Sequence, residues 1–429
     1  MKHLFKKIGW LFTVSVILFT GCQQDEEFSL QSENSVNTGN LKSAVAGYDY
    51  LANTNGVFVL SEGNMTTENG TLSFIDATGS SSGTFPAQNW VYGNPAPSAP
   101  NGLGNVSQDL FIANNKMYIA SQNGNSLSTT GTRHILVLTN ELVKSSEFNP
   151  GGYFPNGWSG SGPTPTHLAV SGNTIYVRTN SGVVTTSEST PSTTPTSISG
   201  ITKPSRTRMA MVNNSGVKYL YVGSEQGTVY RINTSTNAVS SITVSGKVAG
   251  VIAVRRNSNA DQYIYALSIV SSSQAMLYKI SGTSITASYT INSSFDAGLL
   301  IPSVGLCCYA GGTQDILYFR SNGWNPTQIF KYAITSTTAG TLSTLYTVPT
   351  GIDASAQIIY GDLAVDQRTG DVYFGYVGSW GAYATVNGVG RLKGGNPATI
   401  QEYKASATGT SKIDTRFTAG IYFTREFDM

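Results

Sequence analysis

The feature that most constrains the fold is a short motif in which an aromatic residue stands between two apolar residues. It recurs seven times along the 429 residues, with its central aromatic at Phe58, Tyr118, Tyr176, Tyr221, Tyr265, Tyr318 and Tyr373. Successive central residues are 44 to 60 positions apart, and propeller blades are about 40 to 50 residues long. Seven copies in order therefore predict seven repeated units, some of them with long loops.

The sequence around each motif predicts the same set of antiparallel strands. A second apolar segment precedes the motif in six units, at residues 110–112, 168–170, 209–211, 251–253, 304–306 and 363–365. Turns rich in Asn, Asp and Gly separate the two strands. A third strand follows, as at residues 228–232, and several units add a fourth, as at 239–244. Because four antiparallel strands make one blade, we predict an all-β, seven-bladed β-propeller.

The two ends of the repeat predict how the ring closes. The first motif has no apolar segment before it, whereas the last unit is followed by an unassigned apolar segment at residues 418–423. If this C-terminal segment supplies the inner strand of blade 1, two sheet edges that would otherwise be open for aggregation become paired. We therefore predict closure by the C-terminal strand.

Composition supports an all-β chain and excludes several function classes. Charged residues make up only 12% of the chain, while it contains 46 Gly and 23 Tyr; aromatic and β-branched residues favour strands. The formal net charge is +2, and no basic run is longer than the two residues of Arg255-Arg256, so we predict no nucleic-acid partner. With three His and three Cys in the chain, we also predict no metal site and no cofactor.

The N-terminus predicts secretion and lipid anchoring. A basic segment at residues 2–7 precedes an apolar segment at 8–20, which is too short to span a bilayer and is typical of a secretory signal. It ends in Leu18-Phe19-Thr20-Gly21-Cys22, which resembles a bacterial lipobox with Phe19 as an imperfect position. We predict a signal peptide at 1–21, a lipidated Cys22 with a flexible tether at 22–53, and the propeller at 54–429.

The other two cysteines, Cys307 and Cys308, follow an apolar run. Adjacent cysteines rarely form a disulfide with each other, so we predict two buried thiols.

Several segments resemble a known family. Residues 56–64, 70–76, 105–108 and 420–423 are similar to the corresponding segments of Bacteroidetes surface lipoproteins with YncE-like seven-bladed propellers, and the resemblance covers residues 54–427. The acidic segment at 23–27 resembles the surface-export signal of such lipoproteins. The resemblance implies a location on the outer face of the outer membrane. It also implies capture of a corrinoid or similar molecule for a TonB-dependent transporter, as in the cobalamin-binding members.

Candidate ligand-binding residues concentrate in loops that would share one face of the propeller. The longest of these loops are predicted at residues 85–105 and 148–166, and loops of this length are usually functional. Rings and polar groups on this face suit a partly apolar ligand, through stacking and hydrogen bonding. The candidates are Trp90, Tyr92, Tyr153, Trp158, Trp324, Trp380 and Tyr383, with Glu62, Asn64 and Asn123. The alternative is that the rings only pack their own loops.

Signatures of catalysis are weak. Residues 79–83 match G-x-S-x-G but follow a strand without the strand-to-helix turn that the motif requires, so we predict that the protein is not an enzyme. Three interpretations stay open. The first is ligand capture for an outer-membrane transporter. The second is a surface module that binds carbohydrate or protein. The third is a calcium-dependent lactonase, in which Glu62 would be a metal ligand.

Overall fold

The structure, a computed structural model, describes residues 47–424 apart from twelve internal segments. These segments are residues 64–68, 78–86, 94–101, 125–133, 156–161, 191–193, 255–261, 295–304, 321–325, 359–362, 379–385 and 404–417.

The described residues form seven sheets, each of four antiparallel strands. From the inner to the outer strand, which we name A to D, the seven blades are as follows. Blade 1 contains β28 (Thr418–Phe423), β1 (Gly56–Ser61), β2 (Thr71–Asp76) and β3 (Ala87–Tyr92). Blade 2 contains β4 (Ser107–Ala113), β5 (Lys116–Ser121), β6 (Ile135–Thr139) and β7 (Lys144–Phe148). Blade 3 contains β8 (Pro165–Ser171), β9 (Thr174–Thr179), β10 (Val183–Ser187) and β11 (Thr196–Ser197). Blade 4 contains β12 (Ala210–Asn214), β13 (Val217–Gly223), β14 (Thr228–Asn233) and β15 (Val239–Thr243). Blade 5 contains β16 (Lys247–Val254), β17 (Tyr263–Ser271), β18 (Gln274–Ser281) and β19 (Ser284–Asn292). Blade 6 contains β20 (Cys307–Tyr309), β21 (Ile316–Arg320), β22 (Gln328–Ile334) and β23 (Gly340–Thr347). Blade 7 contains β24 (Ala364–Val365), β25 (Val372–Val377), β26 (Asn387–Leu392) and β27 (Ile400–Glu402). A four-residue helix, α1 (Val348–Gly351), follows blade 6.

The predicted fold is confirmed, and the recurring motif proves to be strand B of every blade. All seven central aromatic residues are buried, at 3% exposure or less. Strand B lies between strands A and C of its own sheet and packs on both faces against neighbouring blades. An apolar-aromatic-apolar run suits a strand that is buried on both faces, because neither face can then be polar. This double burial explains why the motif is so regular in the sequence.

The C-terminal strand closes the ring as predicted. Strand β28 pairs with β1, with Tyr422 opposite Phe58 and Ile421 opposite Val59. The Thr424 hydroxyl donates a 2.5 Å hydrogen bond to the Asn53 carbonyl, and the Thr424 amide bonds the Gly56 carbonyl at 3.1 Å. The closing strand is therefore held both by its ladder and by hydrogen bonds just beyond it.

The predicted inner strand of blade 6 is wrong by three residues. The strand begins at Cys307 rather than spanning residues 304–306. Gly305 has a φ of 58°, a left-handed conformation that a strand cannot contain. The prediction of buried thiols is confirmed, since Cys307 and Cys308 are buried and form no disulfide within the described residues. Successive strand residues face opposite sides, and each thiol accordingly packs in a different hydrophobic cluster.

Candidate functional site

The strand directions define two faces of the propeller. Strand A of each blade begins, and strand B ends, on the same face. We call this the top face; it includes Glu62, which follows β1, and Asn123, which follows β5. The turns between strands A and B lie on the opposite, bottom face. The candidate residues were predicted on the top face.

Five candidates lie outside the described residues, and their placement stays a prediction. They are Asn64, Trp158, Trp324, Trp380 and Tyr383.

The expectation that residues 85–105 form one long loop is wrong for Trp90 and Tyr92. Both belong to β3, the outermost strand of blade 1, where Tyr92 pairs with Leu72. Tyr92 is half-buried and packs on the cluster that includes Leu72. The outer edge of β2 needs a pairing partner, and Trp, Val and Tyr in succession favour a strand. These two residues therefore lie at the rim of the ring, on its outermost strand, rather than beside the central channel.

Tyr153 supports the loop-packing alternative. It follows a short turn of 3₁₀ helix at Pro150–Gly152 and contacts the buried ring of Phe154 edge-on, with ring centroids 5.3 Å apart. Both groups of the Asn149 side-chain amide bond the Phe154 backbone, at 2.6 and 2.8 Å. Tyr153 and Phe154 thus form part of the core beneath their own loop.

Glu62 and Asn123 both take part in the junction between blades 1 and 2. Asn123 is buried, and its side-chain amide donates to the Asn105 side-chain oxygen at 3.2 Å. Glu62 is half-buried and accepts a 3.1 Å hydrogen bond from Gln108. Burial raises the pKa of Glu62 to about 8, against the weaker opposing effect of Gln108. Glu62 is therefore a carboxyl group that titrates near neutrality on the top face, whereas Asn123 is a buried structural amide.

A cavity of about 420 Å³ follows the axis of the ring, and inner strands from all seven blades line it. Its middle section is apolar, with walls that include Leu168, Met211, Val251, Leu306 and Leu363. Pockets that bind small ligands in proteins are about 300–1,000 Å³ and mostly apolar, with few polar groups. The channel has the size and the lining of such a pocket.

Charged side chains stand at the top end of this channel, where Asp109 joins four blades. Its carboxylate accepts hydrogen bonds from the Tyr422 hydroxyl of blade 1 at 2.9 Å and from the Leu168 amide of blade 3 at 3.0 Å. Arg208, which leads into blade 4, forms an ion pair with the same carboxylate at 3.5 Å and stacks on the Tyr422 ring at 4.0 Å. The Tyr422 hydroxyl in turn accepts the Leu110 amide at 3.0 Å.

Further basic residues lie near Arg208. Arg178 is 1% exposed, and it donates to the Thr166 hydroxyl at 2.6 Å and to the Pro204 carbonyl. Burial and the charge of Arg206 lower the pKa of Arg178 to about 9. His167 lies opposite Arg178 in the ladder, and burial together with Arg178, Arg208 and Arg206 lowers its pKa well below the usual value. His167 is therefore neutral near pH 7.

A shorter ion pair lines the bottom end of the channel. Arg368 bonds the Asp366 carboxylate through two nitrogens, at 3.0 and 2.7 Å. It also donates to the Thr54 carbonyl and the Asn55 side chain, at 2.6 and 2.7 Å. This guanidinium connects blade 7 to the segment that begins blade 1, so it supports ring closure from the bottom face.

The described part of the chain has neither an evident metal centre nor a helix suited to cross a membrane. No group of three or more His, Cys, Asp or Glu side chains in it is placed to hold a metal ion. None of its helices has the length and hydrophobicity of a membrane span.

Asp109 and Arg208 were not among the predicted candidates. The available signal was a charged residue inside or beside an apolar inner strand, as in Ser107-Gln108-Asp109-Leu110 and Thr207-Arg208-Met209. A charge at such a position is costly unless it is paired, so it marks a site where blades meet.

Together, the fold and the channel define a seven-bladed β-propeller with a central cavity of ligand-binding size. The chain belongs to the family described as a domain of unknown function (DUF5074), whose model matches residues 55–423. No curated protein matches it in sequence.

Solved propeller structures from Bacteroides are similar to the chain. One is a quinonprotein alcohol dehydrogenase-like protein from Bacteroides thetaiotaomicron, with 13% identity, a TM-score of 0.55, and coverage of 87% of this chain and 79% of that chain. Another is a putative 6-phosphogluconolactonase from Bacteroides fragilis, with 11% identity, a TM-score of 0.50, and coverage of 86% and 98%. At these identities the similarity establishes the fold and says nothing about activity.

Proposed function

We propose that this propeller is a surface lipoprotein that binds a small molecule at the top of its central channel and delivers it to a TonB-dependent outer-membrane transporter. The observation that carries the proposal is the cavity of about 420 Å³, with its apolar walls and its charged top end. In this proposal the protein acts by binding and release, without catalysis.

The cavity favours capture over a purely structural role for the ring axis. Its walls contain large aliphatic side chains, including two methionines, Met209 and Met211, and methionine adapts to irregular apolar ligands. Tyr422, Asp109 and Arg208 form a polar constellation at one end of this space. An apolar cavity with a few convergent polar groups is the usual form of a ligand site.

In this proposal the predicted top-face rings would extend the site outward. Trp158, Trp324, Trp380 and Tyr383 remain candidates for stacking on the part of a ligand that protrudes from the channel. Glu62, at the blade 1–2 junction, can supply a polar contact. The family resemblance implies a corrinoid or a molecule of similar size. Such a molecule would be too large to enter the channel completely and would need a wide top face.

Anchoring would place this site at the outer surface of the cell. Acyl chains on Cys22 would hold the protein at the membrane without a spanning helix. The polar segment up to residue 53 would act as a tether that lets the propeller reach a neighbouring transporter. Co-purification with a TonB-dependent transporter from detergent-solubilised outer membranes is the result expected for this part of the proposal.

Calorimetric titration tests the binding site. We expect cyanocobalamin, used as the probe, to bind the purified propeller, and Ala253→Phe to weaken binding by at least tenfold. Ala253 lines the cavity toward the bottom end of β16 and is only partly buried, so a larger side chain there would occupy space needed by the part of the ligand that enters the channel. Ala287→Phe, on the outer strand β19, is the matched control.

Two outcomes would contradict the proposed function. Binding of neutral oligosaccharides without cyanocobalamin binding, unaffected by Ala253→Phe, would instead support a surface adhesion module. Hydrolysis of a lactone that depends on added calcium would support an enzyme.

A further inference from the structure

The loop that leads into blade 4 is unusually basic, and it lies at the top mouth of the channel. Lys203, Arg206 and Arg208 fall within six residues of each other, and Arg206 is exposed while Arg208 lines the cavity. Arg178 lies beneath this loop and bonds its Pro204 carbonyl. Four positively charged residues of blades 3 and 4 therefore lie in or beneath one loop of the top face, and Arg208 among them lines the cavity.

These charges are only partly neutralised by the protein. Arg178 forms no ion pair among the described residues, and its Nε has no hydrogen-bond partner there. A buried guanidinium without a carboxylate partner is energetically unfavourable. Glu225 lies beside the loop, where its amide bonds the Lys203 carbonyl at 3.0 Å, and its charge opposes the effect of Arg206 on Arg178. Asp109 offsets part of this charge, because it forms an ion pair with Arg208 at 3.5 Å while it also accepts bonds from Tyr422 and Leu168.

The lowered pKa values of Arg178 and His167 indicate the same excess of positive charge. Neighbouring arginines lower both, in addition to burial. A positive potential of this kind, at the mouth of a low-dielectric cavity, attracts an anion. Arginine also binds carboxylates and phosphates through two parallel hydrogen bonds.

We propose that Arg206 and Arg208 form an anion site at the top mouth of the channel, so that the ligand is an amphiphile with an anionic group above an apolar body. This inference rests on the proposed function, because it assigns the chemistry of the ligand bound in that channel. The anionic group, a carboxylate, phosphate or sulfonate, pairs with the two guanidinium groups. The apolar body occupies the middle section beside Leu168, Met211 and Val251.

Two fluorescent probes with nearly the same aromatic skeleton test this inference. Anilinonaphthalene sulfonate carries an anionic group, and phenylnaphthylamine is its neutral counterpart. We expect both to bind the wild-type propeller and both to be weakened by Ala253→Phe. Arg206→Gln and Arg208→Gln should each weaken the sulfonate by roughly tenfold, as expected for the loss of one charge-assisted interaction, and should leave the neutral probe within about twofold.

Two control variants distinguish a local effect of charge from a general effect on folding. Arg208 contacts Asp109 and Tyr422, so its substitution can loosen the fold; Arg206 is exposed and provides the independent variant. Lys144→Gln removes an exposed charge on the outermost strand of blade 2 and should change neither affinity.

A second readout comes from histidine NMR. Beyond the predicted signal peptide the chain contains only His134 and His167, so the ring signals can be assigned with a His134→Gln variant. Binding of the sulfonate should raise the pKa of His167, because the bound anion offsets the neighbouring arginines.

The outcomes separate the two proposals. If both probes bind and neither arginine variant affects the sulfonate selectively, the channel still binds ligands but the anion site is refuted. If neither probe binds, this inference is refuted, and the calorimetric titration with cyanocobalamin decides the proposed function separately.

Discussion

Replacing Tyr422 by Phe removes one buried oxygen atom at the point where the closing strand meets its neighbour. The hydroxyl donates to the Asp109 carboxylate at 2.9 Å and accepts the Leu110 amide at 3.0 Å. Tyr422 comes from blade 1 and its two partners from blade 2, 312 residues away in the case of Leu110. The ring itself, with Arg208 stacked on it at 4.0 Å, stays in place in the variant.

The expected loss of stability follows from these two bonds. A buried amide left without its acceptor costs about 1–3 kcal/mol, and a hydrogen bond to a charged group contributes about 1.5–3 kcal/mol. Because Asp109 keeps the Leu168 amide and Arg208, the two terms do not add fully. We expect Tyr422→Phe to lower the free energy of unfolding by about 3 kcal/mol, a large part of the roughly 5–15 kcal/mol of a typical domain.

Chemical denaturation followed by circular dichroism measures this loss. Tyr278→Phe is the matched control, since the Tyr278 hydroxyl accepts one neutral hydrogen bond from the exposed Ser245 amide at 3.0 Å. Water can replace that bond, so the control should lose about 1 kcal/mol or less. Equal losses in the two variants would refute the view that Asp109 and Tyr422 form a special junction between the first and last parts of the chain.

Three further predictions concern anchoring, closure and pH. Cys22→Ala should carry no acyl chain and should leave the membrane fraction on mild washing; retention without lipid would contradict lipid anchoring. Deleting residues 418–429 should remove β28, lower the unfolding midpoint strongly and cause aggregation through the exposed edges; an unchanged midpoint would contradict closure by this strand. The pKa of Glu62 is raised to about 8 in the folded state. Between about pH 4.5 and 8 the folded state therefore holds a proton that the unfolded state has released. Wild-type stability should consequently fall as the pH rises through this range. Glu62→Gln should remove this contribution and gain about 1–3 kcal/mol relative to wild type at about pH 9, discounted for partial exposure; parallel pH profiles of the two proteins would show that Glu62 titrates normally.

The fold could be predicted because its repeating signal is physical. Strand B of every blade is buried on both faces, so residues such as Tyr176 and Tyr373 recur with apolar neighbours. Segment 418–423 was identifiable because blade 1 lacked an inner strand. Residues of the outer strands are less buried, so their sequences show a weaker apolar pattern. Trp90 and Tyr92 were consequently placed in a loop, whereas they belong to β3.

The site could be predicted only in outline, because its contacts join distant parts of the chain. Nothing near Asp109 in the sequence indicates that Tyr422 will donate to it. The basic group likewise combines Arg178 from β9 with Arg206 and Arg208 from a loop about 30 residues later. Face assignment by loop type identified the top face correctly for Glu62 and Asn123, but it could not distinguish a buried amide from an exposed one.

Ring closure by the last strand also has a consequence for the order of folding. Strand β1 is among the first parts of the propeller to be synthesised, yet its inner edge has no partner until residues 418–423 follow. Almost the whole chain must therefore be synthesised before its first sheet can be finished. During that interval the backbone groups of Val57 and Val59 are available to any other extended chain. Until the C-terminal strand arrives, a chaperone that covers this edge would protect the chain from such pairing.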